Sequence, residues 1–392
     1  MKASGLSRFG LFACCVAVAA CSQVAQVSPF QYPPNASADQ RLERPLAFSV
    51  LYSFKGPPAG YHPFAKLIDV SGSLYGTTRL GGAHDDGTVF SITTSGEEKV
   101  LHSFREGTGR HPYAGLLDVN GTLYGTTDKG GAHKFGTVFS ITRSGEEKVL
   151  HSFGEGTDGR DPVAGLLDVG GTLYGTTALG GEHGKGTVFF ITGGTEYVLH
   201  SFGQGTDGSG PEAGLLDVRG TLYGTTRDGG AHHAGTVFSI TTGGLKRGLH
   251  SFGVGTDGRL PVASLIEVSG TLYGTTAVGG AHGRGTVFSI TTSGKEKVLH
   301  DFGDGGDGIV PFAGLLDVSG TLYGTTRDGG AHHNGTVFSI TTGGTEKVLH
   351  SFSEETEGGF PRAGLLDVHG TLYGTTKQGG AHNGGTVFSI TP

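Results

Sequence analysis

The stretch GTLYGTTRDGGAHHNGTVFSIT, at residues 320–341, is one of seven near-copies along the chain. Two motifs mark every copy, Leu-Tyr-Gly-Thr-Thr and Gly-Thr-Val-Phe. The first begins at Leu74, Leu123, Leu173, Leu222, Leu272, Leu322 and Leu372, and the second at Gly87, Gly136, Gly186, Gly235, Gly285, Gly335 and Gly385. The copies are spaced 49 or 50 residues apart. A period near 50 residues is typical of one blade of a β-propeller.

Each repeat divides into four segments with strand character. In the sixth repeat these are Ala313–Val318, Thr321–Thr326, Thr336–Thr341 and Glu346–Phe352. They are rich in β-branched and aromatic residues and are bounded by Gly, Ser or Asp, as strands usually are. No helical period occurs after residue 46. We therefore predict all-β blades of four strands each.

The two ends of the repeat region predict that the propeller is closed. Before the first repeat, Val50–Phe54 reads VLYSF and matches the fourth strand, VLHSF, of the other repeats. The last repeat stops after its third strand, at Pro392. An N-terminal strand that completes the last blade closes the circle and removes both exposed sheet edges, whereas an open solenoid needs capping repeats. We expect a closed seven-bladed propeller over residues 47–392.

The N-terminus has the features of a targeting segment. Lys2 and Arg8 precede a short apolar run, Gly10–Ala20, which indicates a signal peptide over residues 1–20. The following Val18-Ala19-Ala20-Cys21 resembles the bacterial lipobox, which implies cleavage before Cys21 and acyl chains on Cys21 that anchor the protein in a membrane. Ordinary secretion with a chance cysteine is the alternative.

Residues 21–46 are predicted to be the lipidated N-terminus and a flexible tether, because they are rich in Pro, Gln, Ser and Ala. Ser22 follows the cysteine where an Asp would signal inner-membrane retention, so we expect the outer membrane. The other cysteines, Cys14 and Cys15, lie in the signal peptide, so no disulfide is expected. No later stretch is long and apolar enough to predict a membrane-spanning helix.

The composition narrows the classes of partner. Gly accounts for 76 of 392 residues and the net charge is −7, with no basic patch that would favour nucleic acid. We expect a monomer that binds no nucleic acid and needs no cofactor, with Ca²⁺ or Zn²⁺ as the metals that its loops would suit if any were bound.

The run GTLYGTTxxGGAHxxGTVFSIT resembles the bacterial GloVer tandem repeat, and the resemblance covers residues 48–392. It implies a propeller and an extracytoplasmic location, and it implies no activity. Kelch repeats also place Gly-Gly after the second strand, as at Gly329-Gly330. They usually carry a Trp that this chain lacks, so the similarity to kelch repeats is one of architecture.

The loops after the second and fourth strands are the longest, and in a four-stranded blade they emerge on one face. One carries a histidine in every repeat: His84, His133, His183, His232, His282, His332 and His382. Clustered imidazoles would suit Zn²⁺ or Cu²⁺, and His233 and His333 double the residue in two repeats. The alternative is a structural role, in which each His bonds its own or the adjacent loop. Strict sevenfold repetition favours that alternative.

The other long loop carries the pattern GxGTDG and pairs of acids, such as Asp158 with Asp161 and Asp304 with Asp307. These oxygens would suit Ca²⁺, and the alternative is an Asp that caps its own turn. A further carboxylate recurs in the first strand: Asp69, Asp118, Asp168, Asp217, Glu267, Asp317 and Asp367. Its place beside a tight turn favours turn capping over an acidic ring at the axis.

Positions that differ between repeats are the candidates for a ligand site. After Ala-His, or Glu-His in the third repeat, these include Asp85, Asp86, Lys134, Phe135, Lys185, Arg284 and Asn334, besides His84, His233 and His333. After the proline of the other loop stand Phe64, Tyr113, Val163, Glu212, Val262, Phe312 and Arg362. Charged and aromatic side chains on one face are what a binding surface needs, and drift at loop tips is the alternative.

These observations favour a cell-envelope lipoprotein whose propeller is a non-enzymatic binding or scaffolding module for a protein or glycan. The alternative is a metal-dependent hydrolase or lyase acting on an extracytoplasmic polymer, with His233, His333, Asp158 or Asp304 as metal ligands. A structural envelope component is the third hypothesis. The sequence contains no G-x-S-x-G, H-E-x-x-H or phosphate-binding loop motif, so no catalytic residue is assigned.

Overall fold

The computed structural model describes residues 46–392, so the predicted signal peptide, Cys21 and nearly all of the tether lie outside the described residues. Seven four-stranded antiparallel sheets follow one another along the chain. The first strand of a blade contacts the first strand of the next, so these strands surround the axis. This arrangement confirms the all-β, seven-bladed propeller.

The two inner strands of each blade form a tight hairpin. The first strands of blades 1 to 7 are Ile68–Val70, Leu117–Val119, Leu167–Val169, Leu216–Val218, Ile266–Val268, Leu316–Val318 and Leu366–Val368. The second strands carry the Leu-Tyr-Gly-Thr-Thr motif and are Ser73–Thr78, Thr122–Thr127, Thr172–Thr177, Thr221–Thr226, Thr271–Thr276, Thr321–Thr326 and Thr371–Thr376.

The two outer strands complete each blade. The third strands are Thr88–Thr93, Thr137–Thr142, Thr187–Thr192, Thr236–Thr241, Thr286–Thr291, Thr336–Thr341 and Thr386–Thr391. The fourth strands of blades 1 to 6 are Glu98–Ser103, Glu147–Ser152, Thr195–Ser201, Lys246–Ser251, Glu296–Asp301 and Glu346–Ser351. One four-residue helix, Glu354–Glu357, lies in a loop, and the described residues contain no helix that could span a membrane.

The N-terminal strand Ala47–Ser53 supplies the fourth strand of blade 7. It pairs antiparallel with Thr386–Thr391, with Phe48 opposite Ile390 and Ser53 opposite Thr386. Just beyond it, the backbone nitrogen of Phe54 donates to the carbonyl of Gly385 at 2.9 Å. The predicted overlap of the two ends is therefore confirmed.

The first strand is shorter than predicted. In blade 6 it begins at Leu316, whereas the sequence predicted a start at Ala313. The carbonyl of Ala313 accepts a hydrogen bond from Thr275 Oγ1 of blade 5 at 3.1 Å, so it bonds to the neighbouring blade instead of a strand partner. The fourth strand likewise ends at Ser351, one residue before the prediction.

This threonine–alanine bond recurs at all seven blade boundaries. The last one joins Thr375 of blade 7 to the carbonyl of Ala65 in blade 1, at 3.4 Å, and closes the circle. The next threonine of each motif pairs inside its own blade, as Thr326 does with Thr336 at 2.8 Å between Oγ1 atoms. Both threonines are buried, and these bonds satisfy their hydroxyls.

Paired phenylalanines fill the space between blades. The Phe that follows the fourth strand meets the Phe of the third strand in the next blade, edge to face. Phe302 and Phe338 show the pattern, with ring centroids 5.2 Å apart and planes at 68°. Both rings are fully buried. Edge-to-face aromatic contacts add to the stabilisation by burial, so the two phenylalanine positions of the repeat hold the blades together.

The acid of the first strand caps the hairpin turn, as predicted. In blade 6, Asp317 Oδ1 accepts from the backbone nitrogen of Gly320 at 2.9 Å. The same bond forms at Asp69, Asp168, Asp217, Glu267 and Asp367. These carboxylates therefore serve the fold.

Candidate binding site at the axial mouth

Two loops of each blade meet on one face of the propeller, which we call the long-loop face. In blade 6, Gly308–Ile309 pairs with Asp328–Gly329, which joins the loop before the first strand to the loop after the second. Blades 1, 3 and 5 have equivalent pairs. The hairpin turns lie at the other ends of the strands. The variable loop residues therefore share one surface, as predicted.

Seven side chains, one from each blade, line a single cavity on the axis of this face. Each follows the proline of its loop, and we call them the mouth residues: Phe64, Tyr113, Val163, Glu212, Val262, Phe312 and Arg362. They also border an axial channel of about 390 Å³, whose wall includes the residues that follow them. Positions about 50 residues apart in sequence thus converge on one point.

One side of the mouth is aromatic and cationic. The ring centroids of Phe64 and Tyr113 are 4.7 Å apart. Arg362 places its guanidinium carbon 5.3 Å from the centroid of Phe64 and 4.9 Å from that of Phe312. Phe64 is only 7% exposed, so its ring holds the arginine in place more than it offers surface to a ligand.

The opposite side of the mouth is apolar with one paired acid. Val163 and Val262 flank Glu212, whose Oε1 accepts from Arg227 Nη1 at 3.1 Å. Burial raises the pKa of Glu212, and the positive charge of Arg227 opposes that shift. The mouth therefore has two chemically different sides, and the sevenfold symmetry of the fold is broken there.

A second set of variable residues surrounds the mouth, and sequence reasoning missed it. These side chains directly follow the Thr-Thr of each motif, and we call them the collar residues: Arg79, Asp128, Ala178, Arg227, Ala277, Arg327 and Lys377. Arg79 and Lys377 both approach Phe64, with charged atoms 5.9 and 5.8 Å from its ring centroid. Their variation between repeats is the same signal that identified the mouth residues.

Lys66 on the channel wall was also missed. Five blades have Gly at this position, namely Gly115, Gly165, Gly214, Gly314 and Gly364, and blade 5 has Ser264. Only Lys66 and Ser264 therefore extend a side chain from this level of the channel wall. Lys66 is accessible from the channel, and burial among the surrounding walls lowers the pKa of its ammonium group.

The first variable residue after each repeated histidine serves a turn. All seven have left-handed backbone, with φ from 56° to 72°, at Asp85, Lys134, Gly184, His233, Gly283, His333 and Asn383. Asn, Asp, His and Gly are the residues that most readily adopt this conformation. Asp85 Oδ1 also accepts from the backbone nitrogen of Gly81 at 2.9 Å. The doubled histidines, His233 and His333, thus stand where backbone geometry restricts the choice of residue.

The second variable residue lies at the boundary between blades. Asp86 Oδ1 is 2.5 Å from Arg110 Nε of the next blade, and Arg160 lies 4.2 Å above the ring of Phe135. Lys185, Arg284 and Asn334 occupy equivalent positions, and Lys134 pairs with Glu106 at 3.2 Å. None of these predicted ligand-binding residues lines the mouth cavity. Among the candidates, the structure brings together only the residues that follow the loop proline, including Phe64, Tyr113 and Phe312.

The sevenfold histidines lie at the surface. His84, His133, His232, His282, His332 and His382 are exposed and His183 is half-buried. His183 contacts the amide of Gln204 at 3.0 Å in the adjacent loop, and no common bond to that loop recurs around the circle. The shared structural bond that sequence reasoning favoured for them is therefore absent among residues 46–392.

The structure brings no metal cluster together in the part of the chain that it describes: no three His, Cys, Asp or Glu side chains are grouped there. His233 and His333 belong to blades 4 and 6, which are not neighbours. Asp158 Oδ1 accepts from the backbone nitrogen of Gly154 at 2.9 Å, the predicted turn cap. Asp304 belongs to the equivalent loop of blade 6 and is exposed.

A different histidine makes the recurring contact. His151 of the fourth strand bonds Asp158 at 3.0 Å, and His250 and His300 bond Asp257 and Asp307 in the same way. In blade 3, Asp207 bonds His200 and also Lys246 of blade 4, which stands where five other blades have Glu. Burial alone would raise the pKa of Asp207, and these two partners lower it. The contacts fix the long loops on the outer rim.

Three glutamates on the outer, fourth strands predict that the stability of the fold depends on pH. Burial raises the pKa of Glu147, Glu196 and Glu296 to about 7. Because their folded pKa exceeds the unfolded value of about 4.3, the stability they contribute is complete at low pH and is lost as pH rises through 7. We compare the parent protein with the triple variant Glu147→Gln, Glu196→Gln, Glu296→Gln. The thermal stability of the variant relative to the parent should increase from pH 5 to pH 8.

Thermal unfolding at several pH values checks this expectation. The quantity compared is the difference in Tm between the variant and the parent protein at each pH. The control is Glu146→Gln, an exposed neighbour, whose difference from the parent should stay constant. Parallel curves for the triple variant and the parent from pH 5 to pH 8 would contradict the prediction.

Solved structures resemble this one in fold. The BP39L lectin from Burkholderia pseudomallei matches with a TM-score of 0.58 and 9% identity, over 86% of this chain and 97% of the lectin. A puromycin-hydrolysing peptidase from Mycobacterium tuberculosis matches with 0.51 and 10%, over 81% of this chain and 49% of its own. A gluconolactonase from Xanthomonas campestris matches with 0.47 and 12%, over 88% and 89%. At these identities the likeness concerns the fold alone.

Comparison of sequences identifies the family. No curated protein matches the chain. The model of the Gloeobacter/Verrucomicrobia repeat matches residues 41–189, 145–333 and 313–392, which together cover the whole propeller. With the seven repeats and the blades that they form, this match shows that the chain belongs to the Gloeobacter/Verrucomicrobia repeat family.

Proposed function

We propose that this protein is a non-enzymatic binding module of the cell envelope, whose ligand site is the axial mouth of the long-loop face. One observation carries the proposal: seven side chains of five residue types, one from each blade, line the same cavity. Residues that the fold requires repeat in every blade, as the buried Phe and Thr do. Residues that serve one particular ligand have no reason to repeat.

The chemistry of the mouth supports binding. Binding sites concentrate a few aromatic and arginine side chains at the centre of a concave surface. Phe312, Tyr113 and Arg362 stand in such a position, each half-buried at the axis. The channel volume of about 390 Å³ falls within the usual range for small-ligand sites, roughly 300–1,000 Å³. A glycan is the partner that we expect at such a cavity.

The placement at the envelope rests on the N-terminal sequence. The charged start, the short apolar run and Cys21 in its lipobox-like setting are the features of a lipoprotein precursor. Acyl chains at Cys21 would hold the propeller at a membrane surface through the tether. A binding module carried in this way would meet polymers of the envelope or its surroundings.

A glycan array tests the proposal, with soluble protein that begins at residue 22 as the probe. We expect the double variant Tyr113→Ala, Phe312→Ala to lose at least ninety per cent of the captured signal, because it removes two aromatic contacts at the mouth. The control is Tyr197→Ala, which removes a tyrosine that is 48% exposed on a fourth strand, away from the mouth. Its signal should match that of the parent protein.

Two results would contradict the proposal. Undiminished glycan capture by the double variant would move the ligand site away from the mouth. Release of cleaved products from a captured glycan, lost in the same double variant, would make the mouth a catalytic site and would favour the hydrolase or lyase alternative.

A further inference from the structure

Three cations gather around one buried ring at the mouth. The charged atoms of Arg79, Arg362 and Lys377 lie 5.9, 5.3 and 5.8 Å from the centroid of Phe64. Arg327 joins them from blade 6, 5.9 Å from the centroid of Phe312. These residues come from the adjacent blades 6, 7 and 1, so positive charge is concentrated on three of the seven blades around the mouth.

Among the described residues, only one member of this cationic cluster, Arg327, has a matching acid. Arg327 pairs with Asp328, at 2.8 Å from its Nε. Within residues 46–392, Arg79, Arg362 and Lys377 form no ion pair with a carboxylate, whereas Arg110 and Arg227 do. The Nε atoms of Arg79 and Arg362 are buried and have no hydrogen-bond partner. Buried donors of a charged group are costly to leave unpaired, so the structure holds binding capacity that it does not use.

Burial and mutual repulsion within the cluster act on the pKa of its lysine. Burial, together with the charges of Arg362, Arg79 and Arg327, lowers the pKa of Lys377. Burial and the charges of Lys377 and Arg79 also lower the pKa of the nearby His62. A bound anion would relieve this repulsion.

Lys66 extends the same charge below the mouth. Its side chain leaves the wall of blade 1 and reaches towards blade 7, where its Cδ lies 3.7 Å from the position that a Cβ on Gly364 would take. Gly364 is two residues after Arg362. The channel wall under the cluster is therefore lined by a single flexible ammonium group, with bare backbone at its neighbour.

We propose that the mouth binds an oxoanion, a carboxylate or a phosphate group, carried by a small hydroxylated molecule such as a sugar acid or a sugar phosphate. The proposal rests on the binding function assigned above. Arg79 and Arg362 donate to the oxoanion through their planar guanidinium groups, which suit carboxylate and phosphate geometry, and Lys377 and Lys66 supply further charge. Tyr113 and Phe312 flank the rest of the molecule.

The opposite side of the mouth fixes the orientation of this ligand. Glu212 lies there between Val163 and Val262, and its carboxylate repels a second anionic group while its oxygens accept from hydroxyl groups. A ligand with one anionic end and a neutral hydroxylated body fits both sides. A neutral sugar would leave the orphaned donors of Arg79 and Arg362 without charged partners.

Calorimetric titration of the purified protein tests the inference, with D-glucuronate, D-glucose 6-phosphate, D-glucose and inorganic phosphate as probes in low salt. We expect one or both sugar anions to bind at least tenfold more tightly than glucose. The relative affinities of D-glucuronate and D-glucose 6-phosphate show whether the site prefers a carboxylate or a phosphate group. Arg362→Gln should weaken that binding at least tenfold and Arg362→Lys less, because lysine keeps the charge and loses the fork. Arg247→Gln, the same change on an exposed fourth strand, should leave affinity within twofold.

Thermal unfolding separates this role from a structural one. Arg362→Gln relieves repulsion between the cations of the cluster, so the Tm of this variant should equal or exceed that of the parent protein. If Arg362 served only as a structural cation–π contact, the Tm of the variant would fall. Equal binding of glucose and the sugar anions, with no effect of Arg362→Gln, would overturn the inference while glycan capture at the mouth still stood. Equal affinity for inorganic phosphate and both sugar anions would overturn the inference that the ligand has a hydroxylated body. Glycan capture that ignores Tyr113→Ala, Phe312→Ala would overturn the binding function itself.

Discussion

A chain that begins at residue 55 will not form a closed propeller. The truncation removes the strand Ala47–Ser53 and Phe54, so blade 7 keeps only three strands and the edge Thr386–Thr391 loses its partner. Phe54 is fully buried against Phe90 of blade 1, with ring centroids 5.2 Å apart. We expect loss of cooperative thermal unfolding and aggregation through the exposed edge, measured by circular dichroism and size-exclusion chromatography.

The size of the effect follows from what the strand buries. Removing one buried Phe side chain costs about 3–5 kcal/mol, and typical domains are stable by about 5–15 kcal/mol. Phe48 adds contacts to Phe352 and Phe388 and stacks on the ring of His350 at 3.8 Å between centroids. The whole strand therefore contributes a large part of the stability that holds the circle shut.

The matched control is a chain that begins at residue 46, which keeps the contacts of this strand with the rest of the propeller and should unfold like the full chain. A synthetic peptide of residues 46–55 added to the shorter chain should restore a cooperative transition, because it can occupy the vacant edge. A chain from residue 55 that unfolds cooperatively at the parent temperature would show that blade 7 does not need its fourth strand.

The sequence predicted the closure because one fourth strand stands before the first repeat instead of after the last. Val50–Phe54 reads as a fourth strand at the wrong end of the chain, and its pairing with the last third strand follows from that mismatch. The start of the first strand was not predictable in this manner. Ala313 looks like part of an apolar strand, and only the position of Thr275 in the preceding blade shows where its carbonyl bonds.

The candidate site was predicted in part for a related reason. Variation between repeats identified Phe64, Tyr113 and Phe312, because a repeat supplies its own internal comparison. The same comparison gave equal weight to His233, which its left-handed turn explains, and to Lys134, which pairs with Glu106 away from the mouth. Which variable positions converge depends on the angle between blades and on side-chain direction. Arg79, which the structure places beside Phe64 and Tyr113, shows no such neighbours in sequence.

Two glycines of blade 4 give the sharpest contrast between positions that look alike in sequence. Gly224 of the second strand and Gly248 of the fourth strand both pair with Phe238 of the third strand. A Cβ on Gly224 would lie 2.6 Å from Phe238 Cζ and 3.0 Å from Leu215 Cδ2, whereas a Cβ on Gly248 would meet nothing within 4 Å. The same Gly-to-Val change therefore has opposite consequences at the two positions.

Gly224→Val should lower the free energy of unfolding by about 3 kcal/mol, because the buried side chains of Phe238 and Leu215 cannot yield without leaving their packed positions. Gly248→Val should raise it by roughly 0.5–1 kcal/mol, because valine restricts the unfolded chain and favours a strand. All six other blades already carry Val here, at Val50, Val100, Val149, Val198, Val298 and Val348. Urea denaturation of the two variants measures both effects. Equal destabilisation at both sites would mean that Gly248 is packed as closely against Phe238 as Gly224 is, which would contradict the structure.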